Sequence, residues 1–286
     1  PKFFRLIEHG RSLLSVYCYY TVSVSGLPPC GKIFLKTLLL TASCGMMVPL
    51  LKKNFLSKKG TKDMSQVTHR ELFPGVWLRA VHTNKFKSSY LSITLLAPLD
   101  KKTAGANALI PEVLRRGTAI HPDMESMSAA LDELYGGAIE PMVRKRGETQ
   151  CVGFIASFLD DAYAMKGEKI LEPAAGLLCE VLLKPYTEKE VFSAGYVSGE
   201  KANLIDRIRA QINDKRTYAT QRLTQEMCKY EAFGVDKLGD EESVSAITPE
   251  SLWQRYQELL ATAQVEVYYC GSAEPDRVAG ALKQAL

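Results

Sequence analysis

The sequence is poor in the residues and patterns on which many catalytic and ligand-binding sites depend. It has four histidines in 286 residues, and its seven cysteines include no C-x-x-C pair. An odd number of cysteines without paired spacing favours neither a disulfide framework nor a thiolate zinc site, and it predicts free, buried thiols in a reducing compartment. No strand followed by a helix carries a glycine-rich phosphate loop, so the sequence gives no support for nucleotide binding.

A hydrophobic run long enough to span a membrane is also missing. Lys36 and Pro49 interrupt the apolar run Ile33–Leu51, and its uninterrupted part is shorter than the roughly 20 residues that a spanning helix needs. Residues 1–63 carry ten lysines and arginines against two acids, a net charge of +8, and the remaining 26 basic and 30 acidic residues give −4. The basic pI of the chain therefore comes from its first segment and does not indicate a nucleic-acid partner.

The composition of the chain changes at Met64. Residues 1–63 have neither a helical nor a strand period, and they begin with proline rather than methionine. Three interpretations stand: sequence upstream of the true start, a signal or anchor segment, or a disordered arm. The first is favoured, and we expect residues 1–63 to lie outside a domain formed by residues 64–286.

Residues 64–286 alternate between strand-like and helix-like patterns. This order predicts an α+β fold in which an antiparallel sheet packs helices on one face. The predicted strands are Gly75–His82, Lys85–Leu99, Ala138–Lys145, Thr149–Phe158 and Gln264–Cys270. The predicted helices are Ala108–Leu114 ending at Gly117, one beginning at Asp123, Glu168–Leu183, Glu188–Lys229 with breaks at Gly195 and Gly199, Pro249–Ala261 and Pro275–Leu286.

One short stretch, Asn107–Thr118, has the spacing of a known catalytic motif without its chemistry. Ala108, Pro111 and Glu112 would share one face of a helix. The H-x-x-E-H motif uses this spacing to place two imidazoles on a zinc ion beside a glutamate that activates water. A methyl group and a proline ring bind no metal, and one carboxylate alone is a poor zinc site. The four histidines, at unrelated spacings, are predicted to be surface or turn residues rather than a relocated zinc site: His9, His69, His82 and His121.

The order of several weak motifs makes residues 64–286 resemble the N-terminal half of the pitrilysin/insulinase-type zinc metallopeptidases, which include the mitochondrial processing peptidases. The matching segments are Tyr90–Ala97, Ala108–Thr118, Leu131–Gly137, Leu182–Pro185, Glu200-Lys201, Leu238–Ile247, Thr248–Leu252 and Val265–Gly271. Within the family, Leu109–Thr118, Tyr196–Lys201 and Arg222–Tyr230 are similar to bacterial non-catalytic members associated with the 5-aminopentanol modification of elongation factor P.

The resemblance implies where the zinc site would be. Ala108 and Glu112 stand where the family has its two histidines, and Pro111 stands where it has the catalytic glutamate. The distal ligand lies seven residues after a glutamate that matches Glu200, which makes it Arg207. No catalytic, metal-binding or cofactor-binding residue is therefore expected. Glu112 and Arg207 carry opposite charges, and they either form an ion pair that ties the two helices in place of the metal or both point to solvent.

The resemblance also implies a function. Members work as two similar halves that enclose a chamber, and one half often lacks the zinc site. We expect a cytoplasmic bacterial protein without cofactor that forms a heterodimer with an active zinc-peptidase relative and helps to hold a peptide or protein substrate, with neither nucleic acid nor membrane as partner. Residues 64–286 equal about one half, so we expect a second half to be missing at the C-terminus. The alternatives are an active zinc metalloendopeptidase with relocated ligands and an accessory protein in elongation factor P modification.

Two basic clusters, Arg115-Arg116 and Arg144-Lys145-Arg146, complete the sequence features of interest. Such clusters are most often solvated surface. The alternative is a role in an acidic substrate chamber.

Overall fold

A computed structural model describes residues 67–286, which lie within a compact unit that spans Met64–Leu286. The predictions for residues 1–63, with His9 and three of the cysteines, fall outside the described residues. The strands are β1 (Val67–Phe73), β2 (Val76–His82), β3 (Ser88–Pro98), β4 (Ala138–Arg146), β5 (Thr149–Leu159), β6 (Thr187–Glu188), β7 (Val191–Phe192) and β8 (Gln264–Gly271). The α-helices are α1 (Ala104–Leu114), α2 (Met124–Glu133), α3 (Leu171–Leu183), α4 (Ala194–Ala210), α5 (Lys215–Met227), α6 (Glu241–Ser245), α7 (Pro249–Thr262) and α8 (Pro275–Ala285).

Six of the strands form one sheet in the order β1-β2-β8-β3-β5-β4. The pairs β1–β2, β8–β3, β3–β5 and β5–β4 are antiparallel, which confirms the predicted sheet in most of its extent. The prediction is wrong at one place, because β2 and β8 are parallel. β8 lies between the N-terminal hairpin and β3, where it is antiparallel to β3 and parallel to β2.

The two faces of the sheet differ because side chains alternate along each strand. On one face, Leu91, Ile93 and Leu95 of β3 and Phe154 and Phe158 of β5 are buried against the helices. Gly153 of β5 lies so close to β3 that a Cβ atom there would be 2.0 Å from the carbonyl oxygen of Ile93. The opposite face carries polar and aromatic side chains. Helices on one face were predicted, and the structure confirms them.

Several predicted boundaries are wrong. The helix predicted from Glu188 begins only at Ala194, next to Gly195, because Thr187–Glu188 and Val191–Phe192 form the short strands β6 and β7. The helix α4 continues through Gly199, and a break falls at residues 211–214, where the side chain of Asp214 accepts a hydrogen bond from the amide of Thr217. The first strand, β1, was not predicted. The glycine at 117 does not cap α1 in a left-handed conformation, since its φ lies outside that region.

The predicted starts of two helices are confirmed. Asp123 caps α2 in a reciprocal capping box with Ser126, and α7 begins with Pro249 after the capping residue Thr248. Among the helices of residues 67–286, none combines the length and the apolar content that a membrane crossing requires.

Candidate functional site

The helix α1 carries the motif positions and is almost entirely buried. Ala108 has no exposed surface, and Pro111 lies inside the helix and is buried as well. The side chain of Asn107 fixes the helix to its neighbours, because its Nδ2 donates to Gln150 Oε1 at 2.8 Å and its Oδ1 accepts from Arg255 Nε at 2.8 Å. The helix is thus held firmly by packing and hydrogen bonds, and the two buried motif positions offer neither a ligand nor a proton-transfer group.

The third motif position, Glu112, contacts α4. Its Oε1 lies 2.8 Å from Nη1 of Arg207. The Glu112 side chain is 14% exposed and that of Arg207 is 48% exposed. Of the two arrangements that the sequence left open, the structure therefore shows an ion pair between the helices, half shielded from water rather than fully buried.

A second ion pair joins the same helices with the opposite polarity. Arg116, just after α1, donates from Nε to Glu200 Oε1 at 2.5 Å. Glu200 is buried, and its other oxygen accepts from Asn203 Nδ2 at 3.1 Å. The acid lies on α1 in the first pair and on α4 in the second. The junction between the helices is therefore closed by two complementary pairs, of which the sequence analysis identified one.

The residues at this junction do not fit a zinc ion. Zinc sites in proteins use imidazole, thiolate and carboxylate ligands in sets of three or four. Within residues 67–286, no group of three or more histidine, cysteine, aspartate or glutamate side chains is arranged to hold a metal. The carboxylate of Glu112 is occupied by a guanidinium, and the guanidinium of Arg207 cannot deprotonate to act as a ligand.

The chain segment after α1 forms a further polar contact that sequence reasoning missed. Thr118 donates its hydroxyl to Glu180 on α3, and Nδ1 of His121 lies 3.0 Å from the same oxygen, Oε1. The chain turns tightly at Gly117, so a Cβ atom at this residue would stand 2.4 Å from the carbonyl oxygen of Pro122. The Gly-Thr pair that follows the motif was the available signal, and here it supports a connection between α1 and α3.

The other predicted residues lie apart from this junction. His69 stacks on Trp77 with ring centroids 4.9 Å apart, and Nδ1 of His82 lies 3.4 Å from the carbonyl oxygen of Ala273. The four cysteines of residues 67–286 are free: Cys151 and Cys179 are buried as predicted, but Cys228 and Cys270 are partly exposed. Burial raises the pKa of Cys179 to about 12, so this thiol stays protonated at neutral pH.

Comparison with known proteins gives one sequence relative and many structural ones. Models of known protein families give no match. A Bacillus subtilis protein described as "Probable inactive metalloprotease YmfF" is 35% identical over 208 residues, which cover 73% of this chain and 49% of that protein. The chain therefore spans about half the length of the curated relative that it matches.

Solved structures share the fold. A conserved protein from Enterococcus faecalis has a TM-score of 0.72 at 25% identity, over 77% of this chain and 52% of that chain. The "peptidase M16 inactive domain" from Pseudomonas fluorescens has a TM-score of 0.59 at 17% identity over 77% and 50% of the two chains. Pitrilysin has a TM-score of 0.56 at 16% identity over 79% and 23%. The 35% identity to a protein described as a probable inactive metalloprotease, together with this fold, shows that the chain belongs to the pitrilysin/insulinase-type metallopeptidase family.

Proposed function

We propose that this protein is a non-catalytic member of its family that acts as a partner subunit and forms part of the substrate chamber of an active relative. The observation that carries the proposal is the ion pair between Glu112 and Arg207. These residues stand at two of the family's ligand positions, and Ala108 and Pro111 hold the positions of the other histidine and of the catalytic glutamate.

The physical argument concerns what the junction can and cannot do. A zinc ion would both hold α1 against α4 and activate a water molecule. The two ion pairs keep the first role, since each joins one helix to the other. The second role has no replacement, because the side chain of Pro111 neither accepts nor donates a proton. The scaffold is retained and its chemistry is not.

The partner role rests on the family of the chain and on the replaced motif positions. In that family two similar halves enclose a chamber, and a half without a zinc site supplies a wall of the chamber rather than the chemistry. The zinc site would then come from a heterodimer partner with an intact H-x-x-E-H motif. The substrate would be a peptide or protein. The free thiols agree with a cytoplasmic location.

Purification from the native cells tests the proposal. The tagged chain should bring down a protein with an intact H-x-x-E-H motif, identified by mass spectrometry. The complex should cleave unstructured peptides until a chelator is added, and the chain alone should cleave none. Chelator-sensitive cleavage by the purified chain alone would instead establish an active enzyme with relocated ligands.

A further inference from the structure

The sheet face opposite the helices forms a groove of about 790 Å³. The register places Leu96 beside Cys151 and Cys151 beside Arg144, whereas Tyr90 lies beside Cys270. Arg144 and Tyr90 thus stand at opposite ends of the groove. The distance along β3 from Leu96 to Tyr90 is six residues, or roughly 20 Å at about 3.4 Å per residue. This is the length of an extended segment of about six residues, and it is much longer than a single small anion.

Within the part of the chain that the structure describes, some charged side chains along this groove have a partner of opposite charge, and others have none. Its acid, Glu266, already pairs with Arg79, whose Nη2 lies 3.0 Å from Glu266 Oε1. Arg144 and Arg146, on β4, are exposed side chains that line the groove. Within residues 67–286 neither guanidinium makes a hydrogen bond or an ion pair. Glu140, on the same strand, does not line the groove, so the net positive charge comes from these two arginines.

The lysine between the two arginines in the sequence differs from them, because its charged group has hydrogen-bond partners. Lys145 points to the opposite face, where its Nζ donates to the carbonyl oxygens of Phe233 and Val235. The arginines also influence the groove floor. Burial raises the pKa of the Cys151 thiol, and the positive charges of Arg146 and Arg144 act against that rise. The guanidinium groups therefore present uncompensated positive charge to whatever occupies the groove.

We propose that this groove binds an extended acidic segment of a polypeptide, with carboxylates on Arg144 and Arg146 and an apolar or aromatic side chain against Tyr90 and Tyr268. A guanidinium recognises a carboxylate by two parallel hydrogen bonds, which favours acidic side chains over a backbone carbonyl. The two tyrosines meet edge to face at 5.8 Å and offer an aromatic surface at the far end.

The chain's own N-terminal segment does not match this groove in charge. Residues 1–63 hold ten basic residues and two acids, a net charge of +8. An acidic partner or substrate is complementary, and the proposal rests on the chamber role given above, for which it names the class of substrate.

Fluorescence anisotropy with the full chain tests the inference. The probe is a labelled hexapeptide with a tyrosine at one end and two glutamates at the other, compared with versions that carry two glutamines or two lysines. The variant is Arg144→Gln with Arg146→Gln. The matched control is Lys215→Gln with Arg216→Gln, which removes the same charge from exposed positions on α5.

We expect the glutamate peptide to bind about threefold to tenfold more tightly than the glutamine peptide, because an ion pair at an exposed arginine is individually weak and the effects of two such pairs add. The groove variant should abolish that preference, the control variant should keep it, and added salt should weaken it. Equal binding of the three peptides, or equal loss in both variants, would overturn the inference. The isolated chain suffices for this measurement. A negative binding result would therefore leave the co-purification result intact. Conversely, a chain that cleaves peptides alone would refute the chamber role whatever the groove binds.

Discussion

The ion pair between Glu112 and Arg207 should contribute measurable coupling between α1 and α4. A fully exposed pair is worth about 0–1 kcal/mol, whereas removing one partner of a buried pair costs about 3–5 kcal/mol. Here the acid is 14% exposed and the base is 48% exposed. Solvent screening at Arg207 discounts the pair strongly, so we expect a coupling of about 0.5–1 kcal/mol.

A double-mutant cycle measures this coupling. Urea unfolding of the wild type, Glu112→Gln, Arg207→Gln and the double variant gives four free energies of unfolding, whose combination isolates the pair. A pair on exposed α5 serves as the control: Arg222 and Glu226, 3.1 Å apart, with side chains 53% and 66% exposed. This i,i+4 pair should yield about 0.3–0.5 kcal/mol at most. Raising the salt from about 0.1 M to 1 M shortens the Debye length from about 10 Å to 3 Å, which should reduce the control coupling more than that of the shielded pair.

A coupling at 112 and 207 no larger than the control would refute the reasoning that this pair ties the two helices. Additive effects would refute it as well. If the double variant is destabilised by the sum of the two single variants, the pair contributes no coupling. In thermal unfolding a loss of 1 kcal/mol corresponds to about 2–4 °C for a domain of this size, so calorimetry provides an independent check.

Two further predictions concern the rest of the domain. Burial raises the pKa of Asp160, but hydrogen bonds from Ser272 and Ser89 outweigh it and lower the net pKa below 3.8. The resulting stability is present above the unfolded pKa and is lost as the pH falls through the folded value, so Asp160→Asn should flatten the acid limb of stability against pH, and an unchanged limb would contradict this. Gly117→Ala should destabilise by about 1–3 kcal/mol, because its Cβ would stand 2.4 Å from the carbonyl oxygen of Pro122; unfolding within error of wild type would contradict it.

Local signals in the sequence predicted the elements that depend on them. The hairpin of β4 and β5 was predicted from alternating residues around Arg146-Gly147-Glu148, and it forms with Gly147 at a φ of 61°. Asp123 and Pro249 were readable in the same way as the starts of helices. In each case the residues that determine the structure are neighbours in the chain.

Features that depend on distant or weak contacts were not predictable. β1 buries a single hydrophobic side chain, Leu72, so its pattern is too weak to identify a strand. The parallel pairing of β2 with β8 joins Val76 to Val265, and nothing near either residue indicates it. The helix α4 runs through Gly199, which costs about 1 kcal/mol in a helix interior, because burial of residues such as Leu204 outweighs that cost.

The sequence predicted some contacts of the candidate site and not others. The resemblance of the motif positions gave an ion pair between Glu112 and Arg207 as one of two alternatives, and the structure contains this contact. The resemblance could not show which arginine of the 115–116 pair faces α4. Arg115 instead donates from Nε to the carbonyl oxygen of Ile139 at 3.1 Å, and Arg116 reaches Glu200. That choice depends on the rotation of the chain after α1, for which the sequence holds no local signal.

Zinc content tests the central claim most directly. The purified chain, dialysed against zinc and then against buffer, should hold far less than one zinc ion per molecule by elemental analysis. A variant with Ala108→His, Pro111→Glu, Glu112→His and Arg207→Glu regains the family's ligand set and should retain about one. Zinc retained by the wild type at the level of this variant would contradict the claim that the metal-binding atoms have been replaced by an ion pair and two apolar side chains.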